Sequence, residues 1–91
     1  MQPRTYRLAH AVKVRDEEFG LLFYFCKTTG LVFINSGSLL KAEALLSGGT
    51  VEELLAKSQG KKQAELDPYQ LTVLTQLLGK LVQRGLVNVK G

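Results

Sequence analysis

The chain has 91 residues, 45 % of them apolar and 22 % charged, and carries a net charge of +4. That length holds a single domain, 1–91, and the balance is that of a globular protein rather than a disordered one. With one cysteine (Cys26), one histidine (His10) and no tryptophan, the chain excludes a disulfide framework, a Cys/His metal cluster and a nucleophile–base pair at either residue.

This inventory describes a protein that binds rather than one that catalyses, with no metal and no cofactor. Cys26 is expected as a small core residue and His10 as an ordinary strand or loop residue. A lone cysteine fits a reducing cytoplasm. No apolar run approaches the roughly 20 residues of a membrane span, and the N-terminus lacks the apolar segment of a secretory signal. Residues 1–15 carry Arg4, Arg7, Lys13 and Arg15 without an acid. Residues 1–8 are expected to be flexible. A basic end suits nucleic acid, an acidic membrane surface or an acidic polypeptide.

Taken in chain order, AHAVKVR (9–15) reads as a half-buried strand, with Val12 and Val14 on one register. DEEFG is a turn in which Gly20 supplies backbone freedom. LLFYFC (21–26) is a strand with bulky residues on both faces, KTTG (27–30) a turn closed by Gly30, and LVFIN (31–35) a third strand. Short turns between successive strands predict an antiparallel three-stranded meander.

Helical punctuation follows. Ser36 is expected to cap a helix running through Leu39, Leu40 and Leu45 to Leu46, ended by Gly48 and Gly49. Thr50 with Glu53 forms a capping box for a second helix that stops by Gly60. Residues 60–66 form a charged loop. Asp67 and Pro68 open a third helix, which closes at Arg84 and Gly85. LVNVK is an extended tail expected to pair briefly with the sheet. The fold is therefore α+β, a three-stranded antiparallel sheet followed by three helices on one of its faces.

Two features exceed what a core requires. On the third helix Leu71, Leu74, Leu78, Leu81 and Val82 make a sufficient core stripe. Tyr69, Val73 and Leu77 add a second stripe at i, i+4 and i+8, prolonged by Lys80 and Arg84. The third strand, Leu31, Val32, Phe33, Ile34 and Asn35, lacks the charge or proline that normally blunts a sheet edge. Such an edge receives an extended peptide by β-augmentation or a second protomer, giving a homodimer. Strand and helix stripe together describe a peptide groove with Lys80 and Arg84 as cationic posts. The stripe is equally able to pack on the other two helices.

The run AVKVRDEEFGLLFYFCKTTGLVFINSGSLL resembles the small peptide chaperones of mycofactocin biosynthesis, a branch of the group related to the pyrroloquinoline quinone biosynthesis protein D. Val14-Arg15, Glu18, Phe19-Gly20, Leu22, Tyr24, Leu31, Phe33, Ser36, Leu39-Leu40 and Gly85-Leu86-Val87 carry the likeness. The resemblance implies a non-catalytic, winged-helix-like recognition element for ribosomally made, modified peptides. It implies that the leader of a precursor peptide pairs with Leu31–Asn35 against the Tyr69–Val73–Leu77 wall, and that a radical SAM maturase is the partner. Two other readings stay open. One is a winged-helix DNA-binding protein, for which the outward side of the third helix offers only Lys80 and Arg84 as cations. The other is a docking subunit of a larger enzyme. Neither nucleic acid nor a membrane is the expected partner.

Overall fold

A computed structural model describes residues 4–91. Its elements are β1 (Thr5–Leu8), β2 (Val12–Glu17), β3 (Gly20–Phe25), β4 (Leu31–Ile34), α1 (Ala42–Ser47), α2 (Val51–Gln59), a short 3₁₀ turn at Gln63–Glu65, α3 (Pro68–Gln83) and β5 (Val87–Lys90). Strands β2, β3 and β4 form the expected antiparallel meander, in the order β2-β3-β4, and three helices follow it. The fold is α+β, with no helix among the described residues long and apolar enough to cross a membrane.

Strand β2 begins later than the sequence pattern suggested. Ala11 takes a left-handed φ of 65°, and the Val12 N–H closes a turn onto the Ala9 carbonyl, so 9–11 bend instead of extending. The β2–β3 turn is only Glu18-Phe19. Gly20 is required there not for its dihedral freedom but for its bare Cα. A Cβ would run into the Ile34 carbonyl oxygen and stand 2.9 Å from the Ser36 nitrogen. In the β3–β4 turn the positive φ, 56°, falls on Thr29 rather than Gly30. Cys26 sits in this turn, exposed and unpaired, where the core was expected to hold it. His10 is exposed in the turn ahead of β2.

The first helix is shorter than expected. Ser36 does not cap it, because Gly37 turns left-handed at φ 56° and no helix can propagate from Ser36 through it. The chain instead plants Leu40 in the core and starts α1 at Ala42. The Asp16 carboxylate accepts the Ala42 N–H at 2.9 Å, and the Ser58 hydroxyl accepts the Lys41 N–H at 2.9 Å. Strand β2 thus supplies from a distance the acceptor that the local sequence lacks.

The other helix boundaries follow the sequence. The Thr50 hydroxyl accepts the Glu53 N–H at 3.3 Å, and the Glu53 carboxylate accepts the Thr50 N–H at 3.0 Å. The Thr50 N–H first, and the Thr50 hydroxyl second, hold the Glu53 carboxyl below its ordinary pKa. Asp67 caps α3 through the Tyr69 N–H at 2.9 Å, with Pro68 in the first turn. At the far end Gly85, at φ 76°, donates to the Val82 carbonyl and Leu86 donates to that of Leu81. That is a Schellman closure, and it drops Leu86 into the core.

The first and last strands form a sheet of their own. β1 pairs antiparallel with β5 from Thr5↔Lys90 to Leu8↔Val87, and Tyr6 exchanges two backbone bonds with Gly49 at 2.7 and 3.0 Å. The tail therefore pairs with β1 and not with the meander. Residues 5–8, expected to be flexible with the rest of 1–8, are a paired strand with Tyr6 buried; residues 1–3 of that segment lie outside the described ones. Arg7 and Thr5 alternate outward while Tyr6 points inward, a short strand pattern completed by partners far along the chain, β5 and Gly49.

A single core unites the sheets and helices. Phe23, Leu21, Leu40, Leu45, Leu54, Leu55, Leu74, Leu78, Leu81, Leu86 and Val87 are fully buried, each large side chain contributing about 1.5–3 kcal/mol on transfer from water. On α3 the core face is Leu74, Leu78 and Leu81, flanked by Leu71 and Val82, the stripe that the sequence marks out.

Candidate functional site

Strand β4 is the open edge of the meander, paired only with β3. The Phe25 N–H donates to Gly30 and the Cys26 N–H to Ala11. Antiparallel alternation then makes 25↔30, 23↔32 and 21↔34 the bonded pairs between β3 and β4. Val32 and Ile34 therefore spend their backbone groups on β3. Leu31 and Phe33 turn their N–H and C=O outward, away from the sheet, and Asn35 continues that phase beyond the strand. The outward set is the odd-numbered one.

The side chains sort in the same rhythm. Val32 and Ile34 are half-buried against the core. Leu31 and Phe33 project from the other face, 63 % and 51 % exposed, and Asn35 is exposed. Of the five residues expected on the peptide-receiving strand, Leu31–Ile34 form the open edge strand and Asn35 lies just beyond it; only Leu31 and Phe33 within the strand leave backbone groups unpaired, and no proline or charge interrupts the run.

The α3 stripe is graded. Tyr69 is exposed at 73 %, Val73 is half-buried, and Leu77 is half-buried and packs on the core. Lys80 and Arg84 are exposed, in the last turn and at the C-cap. The helix packs on α2 and β5. Its flanking residues Leu71 and Leu77, and the β4 residues Val32 and Ile34, border the same buried core. Of the stripe, Leu77 is partly spent on packing, while Tyr69 remains free for another contact.

One feature was only half visible in the sequence. The face of the meander that looks away from the helices carries two cross-strand rows, Lys13–Tyr24–Leu31 and Arg15–Leu22–Phe33. A hollow of ≈ 360 Å³ opens on it, lined by Lys13, Arg15, Leu22, Tyr24 and Leu31 among others. Bulky residues on both faces of LLFYFC were the signal. The chemistry of the other face follows only from the register. Among the described residues no group of three or more His, Cys, Asp or Glu stands where it could hold a metal.

These features define a small α+β module whose unspent groups are a strand edge and a sheet face, the equipment of a protein that takes up another chain. The sequence matches the peptide chaperone MftB family over residues 5–88, and the chain belongs to that family. No curated protein and no solved structure matches it.

Proposed function

We propose that this peptide chaperone holds the leader of a ribosomally made precursor peptide as an added strand on β4, and offers the rest of that peptide to a radical SAM maturase in mycofactocin-type biosynthesis. The chaperone itself catalyses nothing and works in the cytoplasm, a setting its one free, exposed cysteine suits. The observation that carries the reading is the β4 edge, with the main-chain groups of Leu31 and Phe33 unpaired and directed outward. Exposed edges of uncharged, apolar residues are normally protected, because they recruit other strands. Residues of the added strand facing the helices would meet Tyr69, Val73 and Leu77, and Lys80 and Arg84 would favour an acidic peptide segment.

The same edge also suits a second copy of the chain, so peptide and self-pairing compete for it. The test is hydrogen exchange read amide by amide, with and without the precursor peptide, over a range of protein concentrations. The expected result is that Val32 and Ile34 are protected throughout, while Leu31 and Phe33 become protected when peptide is added. Protection of Leu31 and Phe33 at all concentrations without peptide would overturn the reading. So would tight binding of duplex DNA with a log–log salt slope near −0.9 per phosphate and no peptide binding.

A further inference from the structure

We infer that the outer face of the meander is a second docking surface, which engages the maturase through an apolar patch bordered by carboxylates on that enzyme. The inference rests on the proposed function, since the maturase enters there. The core that the helices share takes Leu21 and Phe23 from β3, on the opposite face, so packing does not require Leu22 and Tyr24 to be apolar. Both are half-buried, and Leu31 and Phe33 beside them are exposed. Each row runs in the same order: a cation on β2, an apolar or aromatic residue on β3, an apolar residue on β4.

The charges select the occupant. Arg15 is held by Glu17 at 2.8 Å, and among the described residues Lys13 has no acidic partner within salt-bridge reach. The β2 border of the patch is thus positive, and it repels a basic surface while favouring an acidic one. The same positive border on a second copy, in a chain of net charge +4, disfavours self-docking at this face. Three strands at about 4.8 Å spacing and four residues at about 3.4 Å give a footprint of about 200 Å², against the roughly 800 Å² per partner of a stable complex. A patch so small works as part of a wider contact. Leu31 and Phe33 belong to both the outer face and the β4 edge, so a large partner resting here touches a peptide on that edge as well. A peptide strand on β4 would lie three strand spacings, about 14 Å, from Lys13, too far for its side chains to meet that cation.

The separation gives the test. Lys13→Glu and, independently, Tyr24→Ser are compared with the wild-type chain in two titrations, one with the precursor peptide and one with the purified cognate maturase, after thermal melts show which variants remain folded. The expected result is a loss of about tenfold or more in maturase affinity, with peptide affinity within about twofold of wild type. Lys13 is exposed and leaves the core untouched, so this variant decides the matter even where Tyr24→Ser melts early. Unchanged maturase affinity in folded Lys13→Glu overturns the docking surface and leaves the proposed function standing. Equal losses for peptide and maturase overturn it too, since the face would then act on the edge. A maturase that fails to bind the wild-type chain overturns both.

Discussion

Proline at position 33 separates the backbone of β4 from its side chains. The Phe33 N–H points away from β3, so Phe33→Pro removes a donor available to an added strand while leaving the 23↔32 and 21↔34 ladder bonds in place. The side chain is about half-buried, so its loss uncovers roughly 100 Å² and costs up to about 2.5 kcal/mol at about 25 cal/mol per Å². Phe33→Ala pays the same cost and keeps the donor, which makes it the reference. The donor itself is worth about 0.5–1.5 kcal/mol, so Phe33→Pro should bind peptide about 2- to 13-fold more weakly than Phe33→Ala. Calorimetric titration at a temperature where both variants are folded measures the ratio. Val32→Pro, whose N–H points into the sheet, should unfold β4 instead and appear first as lost thermal stability. Equal peptide affinity of the proline and alanine variants at 33 would refute β-augmentation on this edge.

Gly20→Ala drives a Cβ against the Ile34 carbonyl, with backbone rather than a flexible side chain in the way; a loss of about 1–3 kcal/mol or more, or some 4–8 °C per kcal/mol in Tm, should appear in a thermal melt. Because Glu53 is held below its ordinary value of 4.5, its contribution to stability is fully present above that pH and fades as pH falls through the lowered one; Glu53→Gln should therefore flatten the acid limb of stability against pH in denaturant titrations. Replacing Lys80 and Arg84 together with Gln should slow peptide association and weaken its salt dependence in stopped-flow mixing, while stability falls only by the roughly 0.3–1 kcal/mol that each cation near a helix C-terminus contributes.

Much of this architecture is written locally. Thr50 with Glu53, Asp67 with Pro68, and Arg84 with Gly85 mark helix ends through bonds that reach no further than a few residues, so they can be read without knowing the fold. The alternation and turns of 12–34 likewise carry the meander. What stayed hidden depends on distant partners. Ser36 has the chemistry of a cap, yet it is buried and its hydroxyl has no hydrogen-bond partner among the described residues, because the left-handed Gly37 ends any helix there; the acceptor at the start of α1 comes from Asp16, 26 residues earlier. The β1–β5 pairing spans nearly the whole chain, and four residues of TYRL cannot announce it. The open edge at 31–35 was legible from its composition, but which of its amides face outward depends on the register with β3. Only that register shows that residues 31 and 33, rather than 32 and 34, are the ones to change.

The antiparallel pairing of Thr5 with Lys90 also has a use at the bench. Strands held side by side at these two residues can be joined by a linker of a few residues, and the exposed loop between α2 and α3 can be opened to make new ends. Such a rewired chain keeps β2, β3 and β4 in one uninterrupted stretch. A reporter inserted beside Thr5 or Lys90 would sit on the two-stranded sheet, and the backbone of β4, in the other sheet, would keep its pairing partner and its open side.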